Sequence, residues 1–403
     1  MLKELKPGDQ IKVAVCGTGG REHALAWKIS QSPFCGSVVV VPGNAGINRE
    51  FECIDVDPMN FEKLAAVLKG VDLVVIGPDD YLASGMSDFL RERGFKVFGP
   101  SKAAAKLECS KSFAKEVMRS AGVPFAESQQ IDDVKKLKYP LVIKDDGLAL
   151  GKGVFICANE AEALAALDAL KGKKIFAEKF LNGREVSLFA VCDGTDYIAF
   201  EPACDYKRLN DGNLGPNTGG MGAYSPVPWF KNSETVAREI FPAILMQMKK
   251  RGTPFTGLLY AGLMVGTDGF HLLEFNARFG DPETQVLLPR LKSDLLPFLF
   301  NTSLAGMKMD WSTDCGVNTV VASAGYPSKP ETGYLLQGRT SERVFYSGVQ
   351  QRDQDLVTSG GRVFSVTATG TDFSSANAKV RKALSEYGFK KMHYRRDIAG
   401  GTR

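Results

Sequence analysis

The first hundred residues alternate short apolar runs with stretches of helical period. Residues 11–16, 38–41, 73–76 and 97–98 are apolar almost throughout, as strands buried on both faces are. Helical patterns at 23–29 and 84–93 fall between them. Strands alternating with helices predict βαβ units and an open parallel sheet. Each strand ends in a glycine-containing turn: Gly17-Thr18-Gly19-Gly20, Pro42-Gly43-Asn44-Ala45-Gly46, Gly77-Pro78-Asp79 and Gly99-Pro100. Ligands of parallel sheets sit beyond the carboxyl ends of the strands, so these turns should border one crevice.

The pattern then changes. Residues 103–120 read as one long helix, stopped by Gly122 and Pro124. A smaller unit follows, with strands at 141–144, 154–157, 175–179 and 185–191 around an Ala-rich helix at 160–170; it predicts a compact α+β lid. Residues 235–250 form another helix. Strands 258–265 and 271–275 make a hairpin around Thr267-Asp268-Gly269. The last stretch has strands at 318–322, 343–346 and 362–367 and a helix at 373–387, a further small α+β unit. Residues 205–222, DYKRLNDGNLGPNTGGMG, fit neither a helix nor a regular strand, because of their glycines and Pro216. They read as an ordered loop that touches a ligand, or as a surface linker.

Composition narrows the class. The 403 residues suffice for several structural units, and an apolar share of 44% leaves ample core. A net charge of +4 from 50 basic and 46 acidic residues is too even to argue for nucleic acid. No apolar run approaches the ~18 residues of a membrane span. The start, MLKELKPGDQIKV, is charged and leads directly into a strand, unlike a secretory leader. Eight cysteines are spread singly without metal spacing and read as reduced, mostly buried residues of a cytoplasmic protein. With only His23, His271 and His393, a histidine-based zinc site is not expected.

Four segments carry candidate chemistry. Lys144 ends a strand and is followed by Asp145-Asp146-Gly147-Leu148-Ala149-Leu150-Gly151-Lys152-Gly153. A fixed cation beside backbone donors can close over phosphates, but the loop joins two strands and lacks the Walker pattern, so it resembles a flap. A surface hairpin with exposed lysines is the other reading. In Glu178-Lys179-Phe180-Leu181, the carboxylate can accept from an adenine amino group while Phe180 and Leu181 wall the ring. Glu185 begins a strand, where it could accept ribose hydroxyls; both glutamates could equally belong to a solvated hairpin. Glu274, Asn276 and Arg278 share one strand face. A carboxylate and an amide oxygen suit magnesium bridging phosphates, and Arg278 suits a developing phosphoryl charge. Gly280-Asp281-Pro282-Glu283 continues that site, unless the three are solvated side chains. Gly17-Thr18-Gly19-Gly20-Arg21-Glu22 lacks the third glycine of a dinucleotide fingerprint, and Pro42 stands where its acidic residue would be. This turn could cradle a monophosphate at a helix N-terminus or be a plain tight turn.

In this order the segments resemble the phosphoribosylamine–glycine ligase family, or glycinamide ribonucleotide synthetases, of the ATP-grasp superfamily. The resemblance spans essentially the whole chain. It rests on GTGGREHAL (17–25), PGNAG (42–46), GPSKAAAKLECSK (99–111), VIKDDGLALGKGV (142–154), GPNTGGMGAYSP (215–226), LEFNARFGDPETQ (273–285), ASAGYP (322–327) and GGRVFSVTATG (360–370). It implies a mixed α/β and α+β multidomain protein. A Rossmann-like pre-ATP-grasp domain would span 1–104 and an ATP-grasp domain 105–314, with its lid at about 123–192. A small C-terminal α+β domain would span 315–403. The implied activity is ATP-dependent ligation of glycine to 5-phosphoribosylamine through a glycyl phosphate, with Mg2+ or Mn2+, in a cytoplasmic monomer or weak dimer.

By the same resemblance Lys111 and Lys144 contact ATP phosphates under a flap carrying Gly147, Gly151, Lys152 and Gly153. Glu178, Phe180 and Glu185 hold adenosine, and Glu274 and Asn276 bind the metal. Gly19, Gly20, Arg21, Asn44, Asp205, Lys207, Arg208, Asn217, Thr218, Gly219 and Arg278 face the two substrates, and Lys144, Arg278 and Asp281 act in catalysis. The chain departs from the family pattern at several positions. Asp145 and Leu150 replace alanines, so that Asp145 adds negative charge, with Lys152 near enough in sequence to offset it. Cys109 interrupts the LEGSK motif, Asp79-Asp80-Tyr81 replaces Glu-x-Pro, and Tyr206 replaces a histidine. The last two changes take Asp79 and Tyr206 out of the expected substrate set. The chain ends shortly after Asp397-Ile398, which predicts a single activity. Another ATP-grasp ligase, such as a carboxylase subunit or peptide-type ligase, fits the 215–222 loop poorly. A nucleotide-binding oxidoreductase fails on the glycine fingerprint. A catalytically dead nucleotide sensor sits badly with Lys144, Glu274 and Asn276.

Overall fold

The computed structural model describes residues 5–131, 133–147 and 153–400. Leu148, Leu150, Gly151 and Lys152 of the flap therefore lie outside the described residues.

Four larger sheets organise the chain. The strands Ile11–Gly17, Cys35–Pro42, Glu52–Cys53, Leu73–Ile76 and Val97–Phe98 form an open parallel sheet with Ile11–Gly17 at its centre. Its strands alternate between two cores: Ala14, Cys16, Val39 and Val41 pack on one side, Val13, Val15, Val38 and Val40 on the other. This double burial is why the sequence shows apolar runs and not alternation. The helix expected at 84–93 is two helices, Asp79–Ser84 and Met86–Glu92, divided by Gly85 at φ +100°. The one expected at 103–120 is also two, Lys106–Cys109 and Lys111–Ala121. Ser110 breaks it and caps the second by accepting from the Phe113 N–H.

The lid is a four-stranded antiparallel sheet of Ser128–Gln129, Ile175–Lys179, Leu141–Asp145 and Val154–Cys157, covered by the helix Glu160–Ala169. It has its own core, in which Leu141, Ile143, Cys157 and Ala177 meet Ala163, Ala166 and Leu170. The strand expected to complete it at 185–191 does not belong to it. Arg184–Asp193 instead pairs along its length with Thr256–Gly266, in a second antiparallel sheet that also holds Gly269–Asn276 and Tyr197–Ala199. It is buried without a break from Val186 to Cys192, as suits this deeper position.

The C-terminal five-stranded sheet draws on two parts of the chain. Cys315–Ala322, Arg343–Tyr346 and Arg362–Gly370 are joined by Cys204–Asp205 and Gly222–Ser225. Residues 205–222 are thus more structured than expected. They enter and leave by strands of this sheet and fold between them into a short irregular hairpin, Arg208–Asn210 with Leu214–Asn217. Pro216 is tolerated because the register pairs only Arg208 with Asn217 and Asn210 with Leu214, so its missing N–H breaks no ladder bond.

Candidate active site

Strand alternation builds a cleft of about 1150 Å3 between the lid and the second sheet. In the lid, Val142 lies opposite Glu178 and Ile156, and Lys144 opposite Phe176 and Val154. Residues two apart share a face. Leu141 and Ile143 therefore point into the lid core, while Val142, Lys144, Val154, Ile156 and Glu178 line the cleft. In the second sheet the register sets Glu185 opposite Met264, Ser187 opposite Gly262, and Tyr260 opposite Asn276. Glu274 faces Gly262, whose missing side chain makes room: a Cβ there would stand 3.2 Å from Glu274 Cγ.

Charge pairs set the position of each side chain. Glu178 is 3% exposed and lies between two buried lysines, with Lys115 Nζ at 2.6 Å and Lys144 Nζ at 2.8 Å. Lys111 Nζ donates to the Gly147 carbonyl at 2.7 Å and stands 3.5 Å from Asp145. Asp145 is also paired with Lys173 at 2.9 Å, so these two described lysines answer its extra charge. Arg278 is aimed by Glu108 at 2.9 Å and donates to Asn276 Oδ1 at 3.1 Å. Burial opposes its charge, but Glu108 and Asp79 outweigh that and raise its pKa. Asp281 is held by Gln285 at 2.7 Å and Arg362 at 3.2 Å. Although burial would raise its pKa, Arg362 and Arg21 bring it below the usual carboxylate range.

Asp205 is shifted the opposite way from Asp281. Its pKa is pushed up to about 7, first by burial and then by Glu283, Glu185 and Glu274, against the opposing pull of Lys207. Lys207 itself pairs with Glu185 at 2.6 Å. An unfolded aspartate titrates near ~4, so folding takes up a proton between ~4 and ~7. Stability from this group rises as pH falls through that window, and the penalty of its ionised form is fully present above it. Asp205→Asn is therefore expected to stabilise the ligand-free protein at pH 8, with a gain that shrinks by pH 5. Urea midpoints at the two pH values measure it, and an equal gain at both would refute the assignment.

The structure brings together Arg21, Lys111, Lys144, Gly147, Glu178, Phe180, Glu185, Asp205, Lys207, Arg208, Asn217, Thr218, Gly219, Glu274, Asn276, Arg278 and Asp281 in this one cleft. Gly153 carries the backbone carbonyl that accepts from the Asp145 N–H, at the root of the flap. Arg208 and Thr218 are engaged with the hairpin itself, bonding the Gly215 and Lys207 carbonyls. Asp79 and Tyr206, removed from the substrate set on sequence grounds, do line the cleft; the Tyr206 hydroxyl accepts from the Ala399 N–H at 2.9 Å.

Three expected substrate contacts lie elsewhere. Asn44 borders a separate hollow of about 600 Å3 with Thr18 and Ser347. Its side chain is fully used, donating to the Thr18 and Tyr346 carbonyls and accepting from the Gly46 and Ile47 N–H groups. The N–H groups of Gly19 and Gly20, the expected phosphate cradle, already donate to Glu22 Oε2 at 2.7 Å and Ser347 Oγ at 2.9 Å. Glu22 is 1% exposed, and Gly77 is obligatory beside it, since a Cβ there would come within 1.9 Å of its carboxylate. The residue that broke the dinucleotide fingerprint thus takes the Gly19 N–H as its own hydrogen-bond donor.

Sequence reasoning missed Lys115, Glu108, Arg362 and Tyr326. Lys115 was legible in principle, being one helical turn from Lys111. Arg362 and Tyr326 reach the cleft from the C-terminal unit, bonding the Gly219 carbonyl and N–H at 2.7 and 3.0 Å, and nothing local marks them. Among the described residues no group of three or more His, Cys, Asp or Glu could hold a metal ion alone. A magnesium that keeps its waters and bridges phosphates needs only one or two carboxylates, and the hard oxygens of Glu274 and Asn276 fit that demand. The eight cysteines are all free, and burial raises the pKa of each thiol where a shift is resolved, Cys16 to about 12. No helix among the described residues is long and apolar enough to cross a membrane.

Three family models match successive parts of the chain. The phosphoribosylglycinamide synthetase N domain, ATP-grasp (A) domain and C domain match residues 11–108, 109–284 and 316–401. A curated phosphoribosylamine–glycine ligase of Mesorhizobium japonicum is 41% identical over 414 residues, covering 96% of this chain and 97% of the relative. That of Streptomyces coelicolor is 42% identical over 412 residues, covering 96% and 99%. The crystal structure of phosphoribosylamine–glycine ligase from Thermotoga maritima matches with a TM-score of 0.85 at 34% identity, over 96% of this chain and 100% of that one. A biotin carboxylase from Campylobacter jejuni, at 17% identity and TM-score 0.72 over 95% and 92% of the two chains, shares the fold.

Proposed function

The chain belongs to the phosphoribosylglycinamide synthetase family, and from that membership we propose that it joins glycine to 5-phosphoribosylamine at the expense of ATP. The γ-phosphoryl group passes to the glycine carboxylate, giving glycyl phosphate and ADP. The amine of phosphoribosylamine attacks the acyl carbon, phosphate leaves, and glycinamide ribonucleotide forms as the amine gives up a proton. The observation that carries this reading is the convergence of Lys111, Lys144, Glu178, Glu274, Asn276 and Arg278 on one cleft between two sheets. A reaction whose nucleophiles both come from substrates asks a protein for positioning and charge, and this cleft offers both.

In this scheme Lys111 and Lys144 hold phosphates, while Glu178, Phe180 and Glu185 hold adenosine. Arg278, kept charged by Glu108, faces the transferring group, and Asp281 and Asp205 stand on the substrate side. Glu274 and Asn276 would hold magnesium or manganese, which when bound neutralises phosphate charge. ADP release is expected only with ATP, glycine, fresh phosphoribosylamine and a divalent cation together. EDTA is expected to abolish it, and added Mg2+ to restore it. A coupled ADP assay with each component omitted in turn measures this, and full activity without the amine would reject the ligase reading.

A further inference from the structure

Lys115 takes no part in the scheme above, yet it is 7% exposed at the base end of the cleft. The helix Lys111–Ala121 sets it one turn beyond Lys111, on the same face. Its Nζ stands 2.6 Å from Glu178 Oε1 and donates to the Ala126 carbonyl at 2.8 Å, with the Phe125 and Phe176 rings each 5.3 Å away. Glu178 Oε2 meets Lys144 at 2.8 Å. Two ammonium groups thus share one buried carboxylate, one on each oxygen, and hold it at the wall of the cleft. Beside it Val142, Val154 and Ile156 offer an apolar wall, and Ile156 is left 52% exposed.

We propose that Lys115 is a positioning residue that fixes Glu178 as an acceptor for the amino edge of a purine, and so sets the preference for ATP over GTP. The inference rests on reading the cleft as a nucleotide site. Adenine presents an amino donor where guanine presents a carbonyl oxygen, and a carboxylate accepts from the first and repels the second. With Lys115 in place, Glu178 keeps a partner when Lys144 turns toward the phosphates. Without it, Lys144 and Glu178 form a closed neutral pair, the base loses its acceptor and the phosphates lose a cation.

The test measures initial rates with ATP and GTP for wild type, Lys115→Met and Lys115→Arg. Lys115→Met is expected to raise KM for ATP and to cut the ATP-over-GTP ratio of kcat/KM at least about tenfold, the scale of one lost polar recognition. KM for glycine should stay unchanged, and Lys115→Arg should restore most of the ratio. A clamp that merely held the helix would lower activity with both nucleotides alike, and an unchanged ratio in Lys115→Met overturns the proposal. Should that variant fail to fold, Glu178→Gln decides: its added amide donor should also lower the ratio, and an unaltered ratio there is equally fatal. Wild type that releases no ADP with the full substrate set would remove the ligase reading as well. Active wild type with an insensitive Lys115→Met removes only this inference.

Discussion

Glu274→Gln is expected to lower turnover at least about a hundredfold, as loss of a metal ligand does, while leaving the unfolding midpoint no lower than wild type. The amide keeps the size and shape of the side chain opposite Gly262, so packing is unchanged. It removes the negative charge that a dication requires. It also removes one of the carboxylates that raise the Asp205 pKa, which relieves like-charge repulsion in the empty cleft. Activity and stability should therefore move apart, and unfolding cannot account for the loss. Steady-state rates across a Mg2+ series, beside a thermal melt, measure both. Near wild-type rates at the same Mg2+ would withdraw Glu274 from the metal site.

Arg290→Met is expected to cost about 3–5 kcal/mol of stability, the scale of breaking a buried ion pair from one side. The guanidinium is 1% exposed and all its nitrogens are used. Nε donates to the Asp314 carbonyl at 2.6 Å, Nη2 to the Ser312 carbonyl at 3.0 Å, and Nη1 to Ser225 Oγ at 2.6 Å, with Glu201 at 2.8 Å. Methionine fills much of the volume but satisfies none of these acceptors, and Glu201 is left without its cation. Because Ser225 lies on a strand of the C-terminal sheet and residues 312–314 lead into that sheet, the loss should appear in the transition of that region. Urea titration followed by tryptophan fluorescence measures it. A change below about 1 kcal/mol would mean that the acceptors find water instead.

Much of the architecture was legible where one period dominated. The N-terminal strands could be read because burial on both faces makes them apolar throughout, and the hairpin at 256–276 because a turn signal divides two apolar runs. What failed was partnership. The pattern at 185–191 predicts a strand but not in which sheet, and only its full-length pairing with Thr256–Gly266 decides that. Gly85 and Ser110 split helices whose apolar period continues across them. In the cleft, Glu274, Asn276 and Arg278 were legible from spacing two apart on one strand. Arg362 and Tyr326 were not, because they arrive from the C-terminal unit and show themselves only through contacts in the folded chain, both with Gly219 and Arg362 also with Asp281. Asn44 and the glycines at 19 and 20 lie outside the main cleft, in turns whose polar groups bond within the protein, and no local signal in the sequence shows that.

The carboxylate of Glu22 reinforces the closure of the turn at Gly19. It is tethered to the N–H it occupies by three residues of chain, so a free anion must compete with an intramolecular rival at high effective concentration and of its own charge. Inhibitor chemistry shaped like a dinucleotide would therefore find no socket at this turn, however familiar the surrounding sheet looks. Compounds meant to block the protein belong in the shared cleft, where Lys111, Lys144 and Arg278 gather.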